Sequence, residues 1–395
     1  MFLNSIGVVV SMGHLSKKIM LVSGESSGDQ HAANLFLELR KRNPEIQGIG
    51  MGGKKMAAAG IDIHYDSSTL GVIGVIEVIK RYAEINRALK AMQQLLLEQR
   101  PDLLVCVDYK EFNFKLATFA KKNGIKVLFY VSPQIWAWRP GRVVKYGKVI
   151  DMMAVIFPFE VPFYEKENVP VRYVGHPSVD KVHAKRSKEA DFQEFGLATG
   201  QPVIGILPGS RTDEINRMLP IMLQAAEEIQ KSIPDVQFVL PQADSVSNEL
   251  LQSSFQHSSV HVKAIKNQFY DTVQCCDAVM TVSGTATLEI ALLTVPMLVA
   301  YKLSAITYLL AKILVDTEFI GLPNIVAGKS VVQEFIQHDA TPQNLAAEIL
   351  HILRDKDYAE SIREGLRAVQ VEIGEGGGSE NMAKLALEML QGKIC

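Results

Sequence analysis

The chain is poor in cysteine, and what it has is not in metal-ligand register. Cys106, Cys275, Cys276 and Cys395 are its four cysteines; none forms a CxxC pair and none stands at zinc-ligand spacing from a histidine. A disulfide scaffold is excluded, and a reducing, cytosolic setting is expected. Charge of one sign is also lacking, with 41 basic against 43 acidic residues. Such a chain has no bulk attraction for nucleic acid, and none is expected as a partner. No uninterrupted apolar run reaches the roughly 18 residues of a membrane-spanning helix, so any membrane contact must be peripheral. The apolar stretch Ile6–Val10 is too short for a signal core and no basic residue precedes it. Residues 1–16 are expected to form a disordered leader. GxGxxG, the P-loop lysine, HExxH and GxSxG are all missing. The one DxD-like pair, Asp355-Lys356-Asp357, lies in a charged, helical-looking stretch rather than behind a strand. No metal and no cofactor are therefore expected.

What is present is a globular composition, 48% hydrophobic and 21% charged, in a chain of 395 residues, too long for one ordinary core. Short β-rich runs alternate with helical patterns, which predicts parallel α/β architecture. Lys18 to Ser23 reads as a first strand, and Asp29 to Arg42 as a helix burying Ala32, Leu35, Phe36 and Leu39. Leu103–Val107, Val127–Val131 and Met153–Phe157 read as further strands, with helices over 84–99, 113–123 and 140–148. Beyond Gly175-His176-Pro177 the sequence turns polar, and at Val203 a second alternating series begins. It continues through Val236–Leu240, His261–Ala264, Ala278–Val282 and Met297–Tyr301. The expected organisation is an N-terminal Rossmann-like domain over 17–180, a second one over 181–373, and a last helix within 374–395 crossing back to the first. Ligands of such pairs bind in the crevice between them.

Six segments could carry chemistry. Ser23-Gly24-Glu25-Ser26-Ser27-Gly28-Asp29 joins a strand to a helix; its glycines allow close ligand approach, and Glu25 and Asp29 suit sugar hydroxyls better than phosphate. Gly24, Glu25, Ser27, Gly28 and Asp29 are thus candidate cleft residues, with a plain capped turn as the alternative. Asp108, at the carboxyl end of an apolar strand, is either a base toward an alcohol or the N-cap of the next helix, and Asn113 follows in the same segment. Trp136, in Ser132–Arg139, offers an aromatic wall or a packed corner. Ser210 and Arg211, after Leu207-Pro208-Gly209, make a diphosphate site at a helix start. Ser283, Gly284 and Thr285 can bond phosphate at a second such junction, and Glu289 one turn later can pair with ribose hydroxyls. Asn324, in Leu322-Pro323-Asn324, is followed by Glu334 and Gln337, whose i, i+3 spacing reads as one helical face. Separately, the apolar run Leu70–Ile79 followed by Lys80 and Arg81 is either core or a membrane-facing surface led by Val72, Ile73 and Ile76.

Taken in order, SGESSGD at 23–29, VDYKEFN at 107–113, YVSPQIWAWR at 130–139, GHPSVD at 175–180, LPGSR at 207–211, SGTATLE at 283–289 and LPN at 322–324 resemble the lipid-A-disaccharide synthase family, glycosyltransferase family 19. The resemblance runs from about residue 18 to about residue 390. It implies two Rossmann-like domains facing a cleft, the GT-B fold. It implies metal-independent inverting transfer of 2,3-diacylglucosamine from UDP to 2,3-diacylglucosamine 1-phosphate, giving a β(1→6) disaccharide and UDP. It implies a cytoplasmic enzyme peripheral to the inner-membrane surface in Gram-negative lipid A biosynthesis. Asp108 then matches the catalytic aspartate, and Arg211, Asn324, Glu289, Glu334 and Gln337 match donor-site residues. Tyr109-Lys110-Glu111 departs from the family, where a proline-containing segment is common, and the leader has no counterpart. A homo-oligomer is compatible with all of this. The rival readings are another GT-B enzyme, such as a UDP-N-acetylglucosamine 2-epimerase, and a non-catalytic nucleotide-sugar-binding protein.

Overall fold

A computed structural model describes residues 17–67, 82–133, 140–303 and 317–394. Among these residues the strands form two parallel sheets. The first contains β1 (Lys18–Ser23), β2 (Gln47–Gly52), β3 (Asp62–Asp66), β4 (Leu103–Val107), β5 (Lys126–Tyr130), β6 (Met152–Val155) and β7 (Val171–Tyr173), in the order β3-β2-β1-β4-β5-β6-β7. The second contains β8 (Val203–Leu207), β9 (Gln237–Gln242), β10 (Val262–Lys266), β11 (Ala278–Thr281), β12 (Met297–Tyr301) and β13 (Glu334–Ile336), in the order β10-β9-β8-β11-β12-β13. Each is a doubly wound α/β sheet. Its central strands are apolar throughout because helices cover both faces; Leu103 to Val107 and Val203, Ile204 and Ile206 have no exposed surface.

In such sheets the strand order reverses at one point, and the loops leaving the carboxyl ends there diverge to open a crevice. The first sheet reverses between β1 and β4, where Ser23 lies beside Val107. The second reverses between β8 and β11, where Thr281 lies beside Leu207. The sequence segments 23–29, 107–113, 207–211 and 283–289 therefore occupy the two reversal points.

The chain passes from the first sheet to the second beyond Val174 and returns at the glycines 374–378. The last helix, Gly378–Leu390, packs on Ser26–Arg42. Arg42 pairs with Glu380 at 2.8 Å, Arg172 with Glu388 at 2.6 Å, and the Asn381 amide donates to the Val174 carbonyl. Asp180 accepts the Gly377 N–H at 2.6 Å and so ties the two crossings together. Beside them His31 and His176 are held neutral by burial, their pKa values lowered to about 4 and about 3.

Several expectations shift. The first helix starts at Ser26, not Asp29, and β10 is Val262–Lys266. The stretch 140–148 is a 3₁₀ turn, Pro140–Arg142, followed by a short helix, Val143–Gly147. Glu334 and Gln337 do not share a helical face. Glu334 opens the edge strand β13, paired with β12, and Gln337 follows it in the left-handed region at φ 56°. A three-residue edge strand is too short for its alternation to outweigh a chance i, i+3 spacing. Residues 1–16, Trp136 and the membrane candidates Val72, Ile73, Ile76, Lys80 and Arg81 lie outside the described residues. Among the described residues no helix is long and apolar enough to cross a membrane.

Candidate active site

At the β1/β4 reversal the backbone folds tightly. Asp108 and Tyr109 both adopt left-handed conformations, φ 51° and φ 50°, immediately before the helix Lys110–Lys122. Gly24 allows this: a Cβ there would sit 2.3 Å from the Tyr109 ring. Tyr109 in turn stacks on Phe112. Gly28 is needed for the same closeness, since a Cβ would meet the Ser23 hydroxyl at 2.4 Å. The Asp108 carboxyl is half-buried. Burial pushes its pKa up, against the pull of the Lys110 ammonium and the Tyr109 amide. Glu25 is also raised, by burial first and then by the Asp108 charge, while Lys110 and Arg211 oppose the shift. Arg211 belongs to the second domain, so the two reversal points face one another across the cleft.

Two residues expected at the cleft surface are committed elsewhere. Asp29 is buried and accepts the N–H groups of Gly53, Lys55 and Met56 at 2.7, 3.1 and 3.2 Å. It caps the short helix Lys54–Ala58 rather than presenting a carboxylate to a sugar. Asn113 is fully buried and bonds backbone carbonyls. Ser27 and Glu25 do reach the surface.

At the β8/β11 reversal, Arg211 is the N-cap of the helix Thr212–Ser232, with 58% of its side chain exposed and a 3.0 Å contact to Glu214. Ser210 is exposed next to it. Gly284 and Thr285 are exposed at the start of the helix Thr285–Leu292, while Ser283 donates to the Ile320 carbonyl at 2.7 Å. The two helices start beyond the carboxyl ends of the adjacent strands β8 and β11, and helix N-termini there, with Arg211, favour an anion. Glu289 is partly buried and accepts from the Tyr270 hydroxyl at 3.3 Å. Burial raises its pKa, against a hydrogen bond from Tyr270, the Lys181 charge and a hydrogen bond from Ser178.

Asn324, Glu334 and Gln337 form a framework behind this crevice. The Asn324 amide donates to the Val332 carbonyl (2.8 Å) and to Glu334 (2.7 Å), and its oxygen accepts the N–H groups of Val331 and Val332. Glu334 accepts the N–H groups of Ile320 and Gly321 at 2.8 and 2.9 Å. Gln337 accepts the Leu303 N–H at 3.2 Å. Their polar atoms bond backbone and, between Asn324 and Glu334, each other, and Glu334 thereby holds the Ile320–Gly321 backbone on which Ser283 rests.

Sequence reasoning passed over Lys110, Lys181, Tyr270 and Glu214. Lys110 and Lys181 stand in or beside segments already singled out, and the place of Lys110 two residues from Asp108 was an available signal. Tyr270 carried none, because only the fold brings it to Glu289, whereas Glu214 stands three residues after Arg211, an i, i+3 spacing open to sequence reading. Among the described residues no group of three or more His, Cys, Asp or Glu side chains stands close enough to hold a metal ion.

Two facing Rossmann-like domains, with Asp108 at the reversal point of one and Arg211 at that of the other, make the GT-B fold. Solved structures share it. UDP-GlcNAc 2-epimerase from Neisseria meningitidis bound to UDP-GlcNAc matches with TM-score 0.61 at 16% identity, over 95% of this chain and 100% of that one. The glycotransferase of kitacinnamycin matches with TM-score 0.62 at 17% identity, over 95% and 99%. At such identities the likeness is one of fold. The sequence is more specific. The lipid-A-disaccharide synthetase family model matches residues 19–389. Lipid-A-disaccharide synthases of Geobacter sulfurreducens and Nitrosococcus oceani are 45% and 43% identical over 375 residues, 95% of this chain and 98% and 97% of theirs. That of Coxiella burnetii is 39% identical over 95% of this chain. The chain belongs to the lipid-A-disaccharide synthase family.

Proposed function

We propose that the protein transfers 2,3-diacylglucosamine from UDP to the 6-hydroxyl of 2,3-diacylglucosamine 1-phosphate, with inversion. The observation that carries this reading is the pairing across the cleft: Asp108, raised by burial, on one side, and Arg211 with two open helix starts on the other. The UDP diphosphate lies against Ser210, Arg211, Ser283, Gly284 and Thr285, and Glu289 takes the ribose hydroxyls. Asp108 removes the proton of the acceptor hydroxyl as its oxygen forms the bond to the anomeric carbon. The bond from that carbon to the UDP oxygen breaks in the same displacement, so an α-linked donor gives a β product. Arg211 and the helix amides stabilise the charge that collects on the departing diphosphate. Glu25 and Ser27 stand where acceptor hydroxyls arrive. One base suffices, unlike the two-carboxylate arrangement of glycoside hydrolases.

The test is mass spectrometry and NMR of products from the defined UDP-sugar and acceptor pair. A β(1→6)-linked disaccharide 1-phosphate with stoichiometric UDP is expected; a C2 epimer formed without acceptor would support an epimerase instead. Arg211→Ala is expected to weaken UDP binding by about 1.5–3 kcal/mol, the contribution of a hydrogen bond to a charged group, and to lower turnover. Unchanged UDP affinity in calorimetry would remove Arg211 from the diphosphate site.

The substrates are acylated, so the enzyme must meet them at a bilayer. We place it on the cytoplasmic face of the inner membrane, held by Val72, Ile73 and Ile76 with Lys80 and Arg81 near anionic headgroups. Replacing those three apolar residues with serine is expected to release the protein from anionic liposomes and to lower activity on acylated acceptors, with UDP affinity retained. Full liposome binding by the triple variant would exclude this segment as the anchor.

A further inference from the structure

We infer that Asn113 is a positioning residue that fixes the direction of the Asp108 carboxyl, an inference that rests on the assignment of Asp108 as the base. Asn113 has no exposed surface, so it cannot touch a substrate. Its amide nitrogen instead lies 2.7 Å from the Asp108 carbonyl and 3.3 Å from the carbonyls of Val107 and Val22. Val107 ends β4 and Val22 lies near the end of β1, so one side chain joins both strands at the reversal point to the first residue of the turn.

The turn needs such a tie. Two consecutive non-glycine residues in the left-handed region are costly, and they persist only where the surroundings hold them. Without a hold on its carbonyl, Asp108 can rotate toward an extended backbone, which swings its side chain away from the cleft. The Asn113 oxygen is buried with no hydrogen-bond partner among the described residues. A buried acceptor left unpaired costs stability, so an apolar side chain would serve packing alone better at this position. The contact that gives the amide its use is the one its nitrogen makes. Its effect on the reaction runs through Asp108, because it reaches no other group at the cleft.

The experiment is a double-mutant cycle on the full chain, with turnover and UDP affinity both read. Asn113→Ala is expected to lower kcat by about 10²-fold, the effect of misplacing a reacting group by about 1 Å, with UDP affinity unchanged. In the Asp108→Asn background the same change should alter kcat by less than about twofold, since the base it orients is gone. Asn113→Ser, which keeps a hydroxyl donor, should fall between Asn113→Ala and the parent. Equal losses in both backgrounds would overturn the inference. So would loss of UDP affinity in both the alanine and serine variants, which would make Asn113 a support of the whole fold. If Asp108→Asn itself left kcat intact, the assignment of the base would fall instead, a result distinct from these.

Discussion

Asp108→Asn should lose about 10²–10⁴-fold in turnover, the usual contribution of a general base, while UDP affinity stays near that of the parent. The amide keeps the size of the side chain and its place at the end of β4 but cannot accept a proton from an alcohol. The separation of the two readouts follows from the fold. Asp108 sits at the β1/β4 reversal and the anion crevice at the β8/β11 reversal, on another sheet. Two pH effects accompany it. Burial raises the Asp108 pKa from its ordinary value, so kcat/KM of the parent should climb with pH through that raised value, and the variant should lose this limb. Stability moves the opposite way. A carboxyl whose folded pKa lies above its unfolded one adds stability below the unfolded value, about 3.9, and loses it as pH rises through the folded value. At neutral pH the charged Asp108 is thus a burden on the fold, and the asparagine variant should melt higher than the parent. That gain should vanish when both are melted below about pH 4. A folded, UDP-binding variant with near-parental turnover would dismiss Asp108 as the base.

The sequence announced the parts of this arrangement that are written in consecutive residues. β1 could be read to the residue because Lys18–Ser23 is a buried apolar run, and the two-domain plan followed from two such series. Other strands were hidden by their composition. β2 contains three glycines, and β3, Asp62–Asp66, alternates polar residues at the sheet's edge, so neither looks like a buried strand. The cleft was legible as motifs, since each reversal-point loop joins a strand to a helix with small residues. The duties of the side chains within those motifs were not. Asp29 and Asn113 carry the polar groups a sugar site wants, yet they bond backbone from segments 24 and 91 residues away in sequence. Polarity in a motif is equally compatible with touching a ligand and with holding the loop that does.

Asn324 puts that distinction to a quantitative test. Asn324→Ala deletes a fully buried amide, strands the N–H groups of Val331 and Val332, and leaves the Val332 carbonyl only the Ser330 hydroxyl at 3.5 Å. Leaving such groups unpaired costs about 1–3 kcal/mol each, partly recovered as the loop relaxes, so a loss of about 2–4 kcal/mol is expected. In a domain of this size that lowers the melting temperature by roughly 5–15 °C. The damage should also travel. Glu334 loses one of its three partners, and it is Glu334 that holds the N–H groups of Ile320 and Gly321. The Ile320 carbonyl in turn accepts the Ser283 hydroxyl at the start of the helix lining the anion crevice. UDP affinity should therefore fall together with the melting temperature. Asn324→Asp sharpens the contrast, because it sets a second carboxylate 2.7 Å from Glu334 where the amide had donated. It should be less stable than the parent, since the new carboxyl loses the amide N–H groups that Asn324 gives to the Val332 carbonyl and to Glu334. The competing outcome is specific. If Asn324 reached the donor directly, Asn324→Ala would weaken UDP binding at an unchanged melting temperature, and the framework role would be wrong.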